Sequence, residues 1–396
     1  VLIAGGGVAA LEAALALRAL GEERVSVELI SPDPLFWYRP LAVAEPFRLG
    51  EVMHFELAEL AAAAGATFSP GTLVSVDPTH HLAHISPAGA IPYDMLLIAC
   101  GAIPKPAVPG ALTFRGPADV EKVEHLLAEI EACEVHSVVF AVPSGAVWSL
   151  PVYELALMTA AWLAARGIVG VGLALVTPED EPLGLFGHEA SLAIQALLDE
   201  RGIVFHGRSH PVEARDGKLL VVPESVVAAD RVVATPRLQG QRIEGIPQTA
   251  DSFIPVDTHA RVTGVSDVYA AGDITSFPVK QGGIAAQQAE VAAEAIAAEA
   301  GADLTPRPFR PVLRGLLLTG MEPSYLRREL TKGEETSWAS SDPLWWPPAK
   351  IVGHYLAPFL GALAGVEVTR EMPSRPGTVQ VHVALDPDHL GIGLGL

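Results

Sequence analysis

A chain of 396 residues has room for two or three domains with sizeable cores. Its net charge of −20 disfavours nucleic acid and strongly anionic membrane surfaces, both of which call for basic patches. Half of the residues are hydrophobic and mean hydropathy is +0.34, yet no uninterrupted apolar run reaches the length of about 18 residues that would read as a membrane span.

Residues 1–4 (VLIA) read as a buried parallel strand, and Gly5-Gly6-Gly7 follow at once, ahead of an alanine-rich helix over about 11–20. Gly5-x-Gly7-x-x-Ala10 is the dinucleotide spacing. Gly5 permits the tight turn, Gly7 lets a pyrophosphate approach the backbone, and Ala10 lets helix and strand pack closely. The free N–H groups of the helix start then face the phosphates. No signal-peptide pattern precedes this strand, and a few residues ahead of Val1 would complete it.

A second strand covers 25–31, and Ser31 ends it where a ribose is usually held by an acid. Glu28, inside the strand, is the alternative. Residues 32–46 form an aromatic- and proline-rich ordered loop. Its Arg39 is read either as a phosphate or adenine contact or as a surface ion pair. A helix near 57–64 and two antiparallel strands, 72–77 and 81–86, come next. Residues 95–99 form a buried strand that closes on Cys100-Gly101. Ligands bind at such carboxyl ends of parallel strands.

A boundary falls near Gly110, after which 119–133 reads as an amphipathic helix and 137–142 as a strand opening a second α/β unit. The glycine turn does not recur there: Pro143-Ser144-Gly145 stands in its place. Helix 153–166, strand 171–177, helix 189–201, strand 203–206, a hairpin 212–222 around Asp216-Gly217 and strand 231–234 complete the unit. Residues 268–273 (VYAAGD) close a strand on Gly272-Asp273 ahead of a long helix ending near 299. Asp273 is read as a ligand for a flavin's ribityl and phosphate groups, with a helix N-cap as the other reading. The stretch from Leu344 to Ala364 (LWWPPAKIVGHYLAPFLGALA) is too proline-rich for one spanning helix. Its aromatics fit either peripheral contact with a membrane face or packing in the core or a homodimer.

The motifs at 4–14, 29–41, 96–111 and 268–289 together resemble those of the pyridine nucleotide-disulfide oxidoreductase superfamily, and within it sulfide:quinone oxidoreductases and type II NADH dehydrogenases. The resemblance covers roughly residues 1–301. It implies an α/β fold with two Rossmann-like dinucleotide-binding domains and FAD as cofactor. The FAD domain would comprise 1–112 and 251–304, with an inserted NAD-like domain over 113–250 and a carboxy-terminal region over 305–396. Residue by residue, it assigns Gly5, Gly7, Ala9, Ala10, Ser31 and Arg39 to FAD, with the Val74 backbone at adenine. It adds Ala99, Cys100 and Gly101 beside the cofactor, and Gly272, Asp273, Lys280, Gln281, Gly282 and Ile284 around its diphosphate, ribityl and ring. Lys280 would stabilise negative charge on the reduced ring. Ala286-Gln287 matches a segment lining the quinone pocket of type II NADH dehydrogenases. Glu154 is read as a proton relay or as a helix-start residue.

The departures narrow the activity. The cysteine pair that attacks sulfide is expected near Trp148 and Leu316, and neither is cysteine. The only cysteines are Cys100 and Cys133, with Cys133 read on a charged helix face, so thiol exchange is disfavoured. Two cysteines also suit a reducing cytoplasm, with peripheral contact at the inner membrane face as the variant. No metal site is expected. The leading expectation is an FAD-dependent oxidoreductase passing electrons from a small-molecule donor to a quinone-like acceptor. The alternatives are an NAD(P)H dehydrogenase (quinone) and a flavin-binding redox sensor or docking protein without turnover.

Overall fold

Leu2, Ile3 and Ala4 form strand β1 (Leu2–Ala4), and all three are buried. So short an apolar run suits the middle of a parallel sheet covered on both faces. The computed structural model describes residues 1–223, 225–330 and 336–363. After β1 come α1 (Val8–Gly21), β2 (Glu28–Ser31), α2 (Leu57–Ala63), β3 (Thr67–Pro70) and β4 (Leu96–Ile98). These strands are parallel in the order β4-β1-β2-β3. The loop after β2 holds a short hairpin, Leu35–Trp37 against His54–Glu56. The antiparallel pair Thr72–Asp77 and Leu82–Ser86 gains a third strand, Gly89–Pro92.

The chain then builds a second parallel sheet. Its elements are β5 (Leu112–Thr113), α3 (Val120–Glu131), β6 (Ser137–Ala141), α4 (Leu150–Arg166), β7 (Gly172–Val176), α5 (His188–Glu200), β8 (Ile203–His206) and β9 (Arg231–Ala234). The strand order is β5-β9-β6-β7-β8. α3 stops at Glu131, so Cys133 lies beyond the helix, in a left-handed conformation (φ 59°), rather than on its face. The expected hairpin is present, with its turn at Asp216-Gly217 and a third strand added, Ser225–Ala228.

β10 (Val268–Ala270) returns to the first sheet and pairs with β4. α6 (Gly282–Glu299) then runs along α1. The two helices approach closely because Ala9, Ala13 and Ala16 of one and Ala285, Ala289 and Ala292 of the other carry only methyl groups, all buried. An antiparallel sheet follows: β11 (Val312–Leu317), β12 (Ser324–Glu329) and β13 (Ser337–Ser340). The last described helix is α7 (Leu356–Leu363). Ala364 lies outside the described residues. Much of the preceding segment packs inward: Trp345, Ala349, Lys350, Ile351 and Leu356 are all buried. Among the described residues no helix is long and apolar enough to cross a membrane.

Candidate functional site

The turn between β1 and α1 is open on one side and closed on the other. A Cβ on Gly5 would lie 2.2 Å from the Ala99 carbonyl oxygen, so this glycine lets the end of β4 close in. A Cβ on Gly7 would meet nothing within 4 Å. Gly7 is the N-cap of α1 and has no side chain to cap the helix, so the first-turn N–H groups face that open space. The Ser31 hydroxyl borders the same turn, 2.8 Å from where a Gly6 Cβ would stand. Glu28, by contrast, accepts a hydrogen bond from Ser69 at 2.7 Å. The Val74 carbonyl accepts the Glu244 N–H at 3.2 Å. Cys100 follows Ala99, and burial pushes its thiol up to about 12. Gly101 (φ 71°) turns the chain away.

The Gly-Asp turn joins this cradle. Gly272 (φ 81°) sits where a Cβ would be 3.2 Å from the Ala9 methyl and 3.4 Å from that of Ala285, so it brings the starts of α1 and α6 together. Its N–H donates to the Gln288 side chain at 2.8 Å. Among the described residues nothing donates a hydrogen bond to the Asp273 carboxylate. Burial raises its pKa, while the charges of Lys280 and Arg39 act the other way, which places both cations within electrostatic reach. Ala10 and Ile284 are buried beneath these turns.

Asp273 is not the cap of α6. Gln281 is: its side-chain oxygen accepts the Ile284 N–H at 2.9 Å, and its amide donates to the Arg314 carbonyl at 2.8 Å. The Gln281 side chain is therefore spent on joining α6 to β11. Gln287 does the same six residues on, exchanging hydrogen bonds with the backbone of Val312. Its amide also donates to the Gly283 carbonyl at 2.8 Å. Lys280 is buried, donates to the Thr275 carbonyl and lies 4.1 Å from the centre of the Phe253 ring. Burial lowers its pKa to about 8, against the pull of Asp273.

Gly282 is covered by Ile351, 3.0 Å from where a Cβ would lie. The residue before Ile351 is Lys350, which the sequence reading did not single out. Its ammonium donates to the Glu154 carboxylate at 2.6 Å, and both side chains are buried. Glu154 also accepts the Leu318 N–H at 2.9 Å, and Lys350 donates to the Pro40 carbonyl at 3.3 Å. Burial pushes Glu154 up and the Lys350 charge holds it back. Glu154 sits in the second turn of α4 and points to Lys350, so the helix-start reading does not hold.

Phe186 stands between the neighbourhoods of the two positions expected to carry a thiol pair. The Trp148 ring stands edge-on to Phe186 at 5.8 Å. Phe186 also fills the space beside Gly315, 2.5 Å from where a Cβ would lie, one residue before buried Leu316. Both expected thiol positions therefore carry apolar side chains. In the second unit, Gly145 (φ 77°) faces the Arg237 guanidinium, and Ser144 bonds His210 at 2.8 Å. Glu179, just past β7, stands where a second dinucleotide unit presents its ribose-binding acid. Its carboxylate already accepts three hydroxyls: Ser149 at 2.9 Å, Tyr153 at 2.6 Å and Thr177 at 2.9 Å. Sequence reasoning missed Glu179, although an acid after the second strand of a βαβ unit is its usual signal.

Comparison with known proteins agrees with this geometry. The family model described as pyridine nucleotide-disulphide oxidoreductase matches residues 1–298. The sulfide:quinone oxidoreductase of Aquifex aeolicus has a similar structure, with a TM-score of 0.74 at 19% identity over 86% of each chain. A ferredoxin reductase of Rhodopseudomonas palustris gives a TM-score of 0.63 at 19% identity, over 86% of this chain and 90% of that one. NDH2 of Plasmodium falciparum, solved with NADH, gives 0.58 at 16% identity, over 69% and 64%. At these identities the structures show a shared fold.

Proposed function

The chain belongs to the pyridine nucleotide-disulphide oxidoreductase family, and we propose that it passes electrons from a small-molecule donor through FAD to a quinone-like acceptor, without thiol chemistry. It is an FAD-dependent oxidoreductase. FAD accepts two electrons from one partner and yields them to another. The residues present fit that cofactor. Open space in front of Gly7 and the uncapped start of α1 suit a pyrophosphate. Among the described residues the Asp273 carboxylate has no hydrogen-bond donor, and it suits ribityl hydroxyls. Ser31 suits the ribose, and Arg39 suits the phosphates. Buried Lys280 supplies positive charge beside Asp273.

The observation that carries the acceptor is the Glu154–Lys350 pair. A quinone takes up two protons with its two electrons. Glu154 holds a proton-exchanging group in an apolar interior, and Lys350 keeps it oriented. Ile351, next to Lys350, packs over the start of α6. The donor side lacks a thiol pair, since Trp148 and Leu316 hold the two expected positions. Glu179 is satisfied within the chain, which argues against a nicotinamide donor.

The test is anaerobic. The purified flavoprotein is mixed with NADH, NADPH and sulfide in turn; flavin bleaching is followed, and then reoxidation by a soluble quinone. The expected outcome is no bleaching within seconds by any of the three, and rapid quinone reoxidation of flavin reduced with dithionite. Fast bleaching by NADH would replace this reading with a type II NADH dehydrogenase-like activity. Reoxidation by oxygen but not by quinone would sink the quinone acceptor.

A further inference from the structure

We propose that Arg314 and Arg327 form a binding site for a tetrahedral oxyanion of the phosphate class. The site stands apart from the redox reading and does not depend on it.

The two arginines are direct cross-strand partners, Arg314 on β11 against Arg327 on β12. Directly opposed residues share a face of the sheet with their Cβ atoms about 5 Å apart, and like charges there are destabilising. Both side chains are half-buried, and the Nε of each is buried without a hydrogen-bond partner. The fold thus holds two cations side by side with the Nε of each out of water. Arginine does not escape by losing its proton.

Among the described residues a single carboxylate pairs with the two arginines. Glu329 accepts from Arg327 at 2.7 Å. Glu290, the other acid within electrostatic reach of Arg314, is turned to Glu12 and to the His354 N–H at 3.3 Å. Among the described residues Arg314 has neither ion pair nor side-chain hydrogen bond. Burial and the Arg327 charge both work against its positive charge.

The surroundings are built rather than incidental. The Arg314 backbone is fixed by Gln281, whose amide donates to its carbonyl. The Arg327 guanidinium lies 5.0 Å from the centre of the Trp338 ring, which holds it from the β13 side. On the same sheet face Tyr325 packs edge-on to buried Trp345 at 5.1 Å. Two guanidinium forks rise from directly opposed positions on one sheet face. A carboxylate engages one fork in bidentate fashion, whereas a phosphate has enough oxygens to accept from both. Phosphate could arrive free in solution or as a lipid headgroup.

The FAD-loaded protein is titrated with inorganic phosphate against sodium chloride of matched ionic strength, following thermal unfolding and 31P linewidth. Pelleting with vesicles of phosphatidylcholine, alone or mixed with phosphatidylglycerol, forms the second arm. The variants are R314Q, R327Q and R314K, with R215Q as a control on an exposed arginine of the second unit. The expected result is a saturable phosphate effect in the wild type and in R215Q that weakens by about tenfold or more in R314Q and R327Q. R314K keeps the charge but not the fork, so it binds at an intermediate level and guards against misfolding in the glutamine variants. Saturation by free phosphate without pelleting assigns a soluble ligand. Pelleting that needs phosphatidylglycerol and Arg314, and that phosphate competes away, assigns a headgroup. The proposal is overturned if phosphate acts no differently from chloride and pelleting ignores both arginines. It is equally overturned if R314Q, R314K and R327Q all bind phosphate as the wild type does.

Discussion

Glu154 and Lys350 form a buried ion pair 2.6 Å apart that fastens α4 of the second unit to the carboxy-terminal segment. A third grip comes from the Pro40 carbonyl of the first unit, so one ammonium touches all three parts of the chain. Removing either partner leaves an uncompensated charge indoors. E154Q and K350M should each cost about 3–5 kcal/mol in chemical denaturation, and E154L/K350M should recover most of it. If Glu154 also moves a proton to the acceptor, E154Q should slow quinone reoxidation by about a hundredfold while flavin binding persists. A double variant as unstable as the singles would count against the pair.

Gly5 and Gly7 should fail in different ways. A methyl at Gly5 collides with the Ala99 carbonyl, 2.2 Å away, at φ 148°. G5A should therefore lower the stability of the apoprotein itself. Gly7 has ordinary backbone angles and open space before it. G7V should leave the apoprotein's circular dichroism and Tm unchanged yet purify without the yellow cofactor. A yellow G7V protein would mean that the phosphates lie elsewhere.

The two cysteines should separate cleanly in a thiol titration. Cys133 is exposed, whereas burial holds the Cys100 thiol protonated, with a pKa near the top of its range at about 12. Folded protein should release one equivalent with a thiol reagent and unfolded protein two. C100S should retain flavin and turnover. Loss of flavin reduction in C100S at unchanged flavin content would revive a role for that thiol.

Glu12 should make stability pH-dependent. Its buried carboxyl accepts the Tyr355 and Leu356 N–H groups at 2.8 and 2.7 Å, and its pKa is raised to about 8 by burial and by Glu290. A group raised on folding contributes fully below its unfolded value and loses that contribution as pH climbs through its folded value. The Tm should therefore fall as pH rises towards and through about 8. His354, Arg307 and Tyr355 also face this cluster through Glu290 and shape the curve. E12Q should flatten it. An E12Q protein with an undiminished slope would assign the effect to another group.

What the sequence revealed was local. The Gly5-x-Gly7 turn, the Gly272-Asp273 turn and the strands around them depend on neighbours a few residues away, so spacing alone exposed them. What it hid was long-range. Lys350 lies 196 residues from Glu154, and no pattern ties a lysine in a proline-rich stretch to a glutamate in a helix. Gln281 as the cap of α6 was not legible either, because Asp is a usual N-cap and Gln is not. β11 to β13 escaped because their half-buried faces do not alternate cleanly. For the segment from Leu344 to Ala364, composition could not distinguish a wall of the core from an outward-facing surface. Burial of Trp345, Ile351 and Leu356 favours the core for those residues.

The first helix and the last described helix hold each other directly, since Glu12 meets the start of α7. The first sheet is likewise incomplete until β10 arrives, long after β4 has been made. During synthesis the opening glycine turn must therefore wait, partly clothed, while the whole second unit is threaded out and folded. Pairings of such sequence separation close slowly. The cofactor cradle is thus among the last parts to be finished, although its first residues are made before the whole second unit.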